Sequence, residues 1–110
     1  MKIFKINVQE PYSTYIIEGK KTVEGRLNKG KFAEMQPRDV LKINNQAEYK
    51  ILAKNQYKNF VEMVTVEGIK NVIPDKETIE EAVQVYYQFF TKEDEERYGV
   101  VAIKIVPVVS

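Results

Sequence analysis

The nine residues Gly19-Lys-Lys-Thr-Val-Glu-Gly-Arg-Leu27 place one carboxylate among three cations. Their pattern predicts a strand, entered from a helix, on which Thr22, Glu24 and Arg26 alternate with Val23, Gly25 and Leu27. Side chains at i, i+2 and i+4 of a strand share one face, about 6–7 Å apart per step. Glu24 and Arg26 are therefore expected side by side on a polar face, with Val23 and Leu27 turned to the core. The guanidinium can hold a phosphate or a developing oxyanion, and the carboxylate can accept from an exocyclic amine or a ribose hydroxyl. Lys21 beside Glu24 stays charged if paired, and becomes a base if desolvation dominates. A solvated cross-strand ion pair would give the same spacing.

The elements that position these groups follow from the flanking pattern. Lys2–Val8 alternates with Phe4, Ile6 and Val8 inward, and Pro11 can open a short helix whose Tyr12, Tyr15 and Ile16 share a face before Gly19. After the Thr22–Leu27 strand, Asn28–Gln36 reads as a polar loop, and Pro37-Arg38-Asp39 turns into the strand Val40–Ile43. Asn44-Asn45 suits a hairpin turn into Ala47–Tyr57. Asn59 can cap a helix ended by Gly68, and Thr78-Ile-Glu-Glu81 has capping-box spacing. Ile79, Ala82, Val83, Tyr86, Tyr87 and Phe90 recur at helical spacing, and Thr91-Lys-Glu-Asp94 suits a short acidic turn. Val100–Val106 is a final strand before Pro107. This order suggests an α+β fold: a small curled sheet or barrel of about five or six strands with helices at its ends. A flat α+β sandwich is the alternative.

Composition narrows the chemistry. The 110 residues, 44% of them hydrophobic, fit one domain spanning 1–110. There is no Cys and no His, so thiol nucleophiles, disulfides, imidazole bases and the usual zinc sites are excluded. The three Asp are scattered, which argues against a carboxylate metal cluster, and neither metal nor cofactor is expected. No apolar run approaches the roughly 20 residues that span a bilayer. The start, Met-Lys-Ile-Phe-Lys-Ile, does not read as a signal peptide, so the expected location is cytoplasmic.

The net charge of +1 conceals an asymmetry: residues 1–60 carry 12 Lys+Arg against 6 Asp+Glu, and the remainder 5 against 10. Between Lys20 and Arg38 six basic residues meet two Glu, a surplus that attracts phosphate-bearing ligands. Lys29, Lys31 and Arg38 join Lys21 and Arg26 as phosphate candidates, and Tyr12 stands at a helix start that can face a cleft. Tyr86, Tyr87, Phe89, Phe90 and Tyr98 could stack on bases, although their spacing places most of them in the core. Glu93–Glu96 reads as a solvated run.

Four pieces together resemble the ASCH domain of the PUA-like superfamily: Glu10-Pro-Tyr12, the Gly19–Leu27 block, Gln36-Pro-Arg-Asp-Val40, and Tyr98-Gly-Val-Val-Ala-Ile103. The match is closest to a compact stand-alone bacterial and archaeal type. The resemblance implies a PUA-like β-barrel with a small basic cleft built around the Gly19–Leu27 block, which binds RNA or a nucleotide through Lys21, Thr22, Glu24 and Arg26. Some ASCH proteins are similar in fold but hydrolyse acetylated cytidine with a Lys, a Thr and a Glu, and others are linked to RNA cleavage. The Lys matches Lys21. The nucleophilic Thr falls at Glu24, which cannot replace a hydroxyl by the same route. Thr22 lies two residues early, and the Glu has only Asp75 or Glu77 as counterparts. As an enzyme this chain would be a metal-independent hydrolase with Lys21 and Glu24 as acid/base pair. A protein–protein module is the third reading, and it requires an apolar or closed cleft. The expectation for a binder is steep salt dependence, with Lys21→Ala and Arg26→Ala weakening binding at an almost unchanged thermal midpoint.

Overall fold

Residues 1–109 are described by a computed structural model. The alternating segments form the strands β1 (Ile3–Ile6), β2 (Val23–Leu27), β3 (Val40–Ile43), β4 (Ala47–Tyr57) and β5 (Val100–Pro107). Between them lie the helices α1 (Tyr12–Ile17), α2 (Lys31–Glu34), α3 (Phe60–Glu67), α4 (Ile69–Val72), α5 (Ile79–Tyr87) and α6 (Lys92–Tyr98). Three of these helices depart from the sequence reading. Asn28–Gln36 contains α2, the segment after Gly68 contains α4, and the acidic run continues past one turn as α6.

The strands make one sheet in the order β1-β3-β4-β5-β2. β1 and β3 run parallel, and the other neighbouring strands are antiparallel. The β3–β4 hairpin turns through Asn44 and Asn45, at φ 54 and 57, a left-handed pair that Asn tolerates better than most residues. A bulge at Leu52 shifts the β4–β5 register between Ile51 and Ala53 and bends the long strand. The sheet curls into a half-barrel whose edge strands, β1 and β2, are not paired to each other. A side chain spans that seam: the Arg26 Nη2 on β2 donates to the Asn7 carbonyl just beyond β1, at 2.6 Å.

Each face of the sheet has its own core. On the side of α3, α4 and α5, Val23, Leu27, Val100 and Ala102 pack with Phe60, Met63, Val64, Val72 and Val83. On the other side, enclosed by the curl, Ile6, Leu41, Ile43, Ile51, Val101, Ile103 and Ile105 pack with Ile16 and Met35. Opposed residues of an antiparallel pair share a face. Glu24 opposes Ile103 and Arg26 opposes Val101, so both turn toward the enclosed side. Val23 and Leu27 turn to the core as their alternation predicts, on the side under the helices. The face expected to be polar is covered as well, because the curl encloses it.

The caps hold the helical layer. Asn59 Oδ1 accepts from Glu62 N at 2.8 Å, and Thr78 with Glu81 forms the reciprocal capping box. Glu95 is buried rather than solvated: its carboxylate accepts from Phe60 N at 2.8 Å and from the Tyr87 hydroxyl, tying α6 to the start of α3 and to α5.

Candidate functional site

Lys20 and Lys21 are adjacent in sequence and opposite in environment. Lys20 is exposed, 3.3 Å from Glu18, which is exposed as well. Lys21 is 3% exposed, and its Nζ donates to the carbonyls of Val23 and Val72, each at 2.6 Å. The same Nζ lies 3.2 Å from Glu24 Oε1. An ammonium has three protons, and these three acceptors account for all of them. Lys21 therefore fastens the end of α4 to β2 and holds Glu24 in place. All three of its protons are thus engaged within the protein. Burial pushes its pKa below the ordinary lysine value, against the attraction of Glu24.

Glu24 is 5% exposed and accepts from a second cation. Arg26 Nε donates to its Oε2 at 2.9 Å, and Arg26 Nη2 lies 2.8 Å from the same oxygen. Burial alone would raise the carboxyl pKa, but Lys21 and Arg26 together hold it below the usual range. The result is a fixed anion that can only accept hydrogen bonds. Arg26 is one-fifth exposed at its side chain, and its Cζ lies 4.9 Å from the Phe32 ring centroid. The bonds to Glu24 and Asn7 use Nε and Nη2, which leaves Nη1 as the donor this group can offer.

A pocket of about 250 Å³ opens onto this pair from the seam between β1 and β2. Its base is Lys21, Glu24, Gly25 and Arg26. Ile73, Val85, Tyr86, Phe89 and Phe90 make an apolar wall, and Asn7, Gln9 and Tyr12 form the rim. Desolvation and the Asp75 carboxylate push the Tyr12 phenol up to about 12, so it remains a neutral hydroxyl. Gly25 is required by close approach: a Cβ there would lie 2.6 Å from Met63 Cε and 2.8 Å from the Tyr86 hydroxyl oxygen.

The ASCH domain profile matches residues 6–109 of this sequence. The chain belongs to the ASCH domain family. Two solved structures resemble this ASCH domain over nearly its whole length. A hypothetical protein, PH0355, has a crystal structure that matches at a TM-score of 0.93 and 40% identity, covering 96% of this chain and 99% of that one. Protein PF0455 from Pyrococcus furiosus, solved by NMR, matches at 0.83 and 37% identity, covering 98% and 99%. No curated protein matches the sequence. Membership is consistent with the RNA-binding role of the PUA-like superfamily. Among the described residues, no helix is long and apolar enough to cross a membrane, and no group of three or more His, Cys, Asp or Glu is placed to hold a metal ion.

The ASCH pocket gathers Tyr12, Lys21, Glu24 and Arg26 from the residues named by the sequence. Four others lie outside it. Thr22 acts through its backbone, donating to Asn71 O and accepting from Ile105 N. Lys29 sits 4.9 Å from the Tyr98 ring centroid. Lys31 Nζ donates to the Lys5 carbonyl at 2.5 Å. Arg38 is exposed, at a left-handed φ of 81. Of the six basic residues between Lys20 and Arg38, Lys21 and Arg26 line the pocket. Lys21 and Arg26 share one carboxylate, and the adjoining groove beyond Tyr12 carries Glu10, Asp75 and Glu81 against Lys76. A run of basic residues in sequence does not become a basic surface when its members point to different sides. Tyr86, Phe89 and Phe90 are the wall residues that sequence reasoning left in the core or open. The signal that marked Phe89, two residues past the end of α5, was its position off the apolar stripe that runs from Ile79 to Phe90.

Proposed function

We propose that this ASCH domain binds a nucleoside unit, free or as an unpaired base of RNA, in the pocket between β2 and α5. The observation that carries this reading is an ionised, buried Glu24 beside the Arg26 guanidinium at the base of an aromatic-walled pocket. At about 250 Å³ the space is below the roughly 300–1,000 Å³ of clefts for drug-sized ligands. That suits a single base better than an oligonucleotide. Glu24 accepts from a base N–H, the free Nη1 of Arg26 donates to a carbonyl or ring nitrogen, and the Phe89–Phe90 wall covers the ring. The negative groove next to the pocket favours a ligand whose phosphate, where it has one, points away from Glu10 and Asp75.

The hydrolase reading has less behind it. For Lys21 to act as a base it must lose a proton that is shared with a carbonyl or with Glu24. For Glu24 to act as an acid it must be protonated, which two cations oppose. The apolar walls would suit a protein partner, but a buried ion pair at the base is costly to cover unless the partner supplies matching polar groups.

Calorimetric or NMR titration of the four ribonucleosides, their 5′-monophosphates and a short unstructured RNA tests the proposal. Binding of at least one nucleoside, abolished in Glu24→Gln, is expected. If neither nucleosides nor RNA bind, the proposal is overturned.

A further inference from the structure

Tyr86 carries the one buried side-chain polar atom without a hydrogen-bond partner among the described residues, its hydroxyl oxygen. The ring is held firmly, stacked on Phe60 with centroids 4.4 Å apart and planes 8° from parallel. The hydroxyl lies over the β2 backbone at Gly25, between Glu24 and Arg26 in sequence, and Tyr86 lines the same pocket as those two residues. A phenylalanine would keep the stack and the packing and leave no orphaned polar group. Leaving a buried donor unmade costs free energy, and a position that tolerates this cost inside a pocket points to a partner that arrives from outside.

We infer that the Tyr86 hydroxyl is a specificity-determining group of the pocket, which donates to an acceptor on the edge of a planar heterocycle whose neighbouring N–H is taken by Glu24. This rests on the reading of the pocket as a nucleoside site and narrows it. The two protein groups have fixed, opposite characters. Glu24 is ionised and only accepts. Burial and the nearby Glu24 charge push the Tyr86 phenol well above its ordinary pKa, so it keeps its proton and can donate. Together they select an edge with an N–H beside a carbonyl or bare ring nitrogen, as the pairing edges of nucleobases have. They disfavour a group made only of acceptors, such as a phosphate or carboxylate. A larger residue at position 25 would crowd both Met63 Cε and the hydroxyl.

The experiment is Tyr86→Phe, with thermal unfolding without ligand and titration with the four ribonucleosides. The expected result is an unliganded midpoint equal to or above that of wild type, because the removed oxygen had no partner. The affinity for the nucleoside that wild type binds best should fall about three- to tenfold, the range for one net hydrogen bond. Tyr86→4-aminophenylalanine, which restores a donor on the same ring, should recover most of the loss. Unchanged affinity in Tyr86→Phe overturns this inference and leaves the pocket reading standing. A lowered midpoint without ligand also overturns it, because the hydroxyl would then be satisfied within the unliganded protein. A wild type that binds no nucleoside overturns the pocket reading and this inference with it.

Discussion

Replacing Lys21 with methionine separates a fastening role from a ligand contact. The substitution keeps much of the apolar stem and removes the ammonium, leaving the Val23 and Val72 carbonyls and Glu24 Oε1 without that donor. Removing one partner of a buried ion pair costs about 3–5 kcal/mol, because the remaining charge stays buried. Arg26 still serves Glu24 Oε2, which places the expected cost near the lower bound, about 3 kcal/mol. For a domain of this size about 4–8 °C accompany each kcal/mol, so the thermal midpoint should fall by about 12 °C or more. Lys20→Met is the control: with its head group in solvent, its loss should move stability by no more than about 0.5 kcal/mol. Calorimetric unfolding of wild type and both variants at pH 7 gives the answer. A Lys21→Met midpoint within about 3 °C of wild type would refute the argument that this ammonium holds β2 to α4.

Glu24→Gln should change the acid limb of the stability curve. The folded carboxyl pKa is depressed, so its contribution is complete above the ordinary value of 4.5 and is lost as pH falls through the lower folded value; the variant should lack this component when urea unfolding is compared between pH 3 and 6. Gly25→Ala places a methyl within 2.6 Å of Met63 Cε and 2.8 Å of the Tyr86 oxygen, and should cost about 1–3 kcal/mol by overpacking, measured by urea midpoint. Nucleoside binding should be nearly independent of salt, because the net charge at the pocket base is small. Longer RNA that reaches outlying lysines should show a log–log slope of about −0.7 per phosphate contacted, and a steep slope for a nucleoside alone would show that the outlying cations take part. Thr78→Ala should lower stability by about 1 kcal/mol through loss of the α5 cap, a test of the scaffold independent of the pocket.

The strands, the Asn44-Asn45 turn and the caps at Asn59 and Thr78 were legible because each depends on local periodicity or on one or two residues with a fixed conformational preference. The short helices α2 and α4 were not, since four residues carry too little pattern. The site was half legible. Spacing alone brought Glu24 and Arg26 to one face. It could not distinguish Lys20 from Lys21, because burial of the second depends on the Val72 carbonyl, fifty-one residues further along the chain. It also treated the basic residues from Lys20 to Arg38 as one surface, whereas Lys29, Lys31 and Arg38 do not line the pocket, and Lys31 instead shares the Phe32 ring with Arg26. Tyr86 looked like an ordinary core position because its stacking on Phe60 is one; only the hydroxyl above Gly25 sets it apart.

The order of strands has a consequence for when the pocket can exist during synthesis. Strand β5 sits between β4 and β2, yet it is the last of the five to leave the ribosome. Until it is available, β2 has no ladder to join, and Glu24 lacks the register that sets it opposite Ile103. A nascent chain can close the β3–β4 hairpin early from neighbouring residues, while β2 must wait for a long-range pairing. The protein is therefore expected to gain binding only after translation has passed β5, and a fragment stopped before Val100 should have the early hairpin without the pocket.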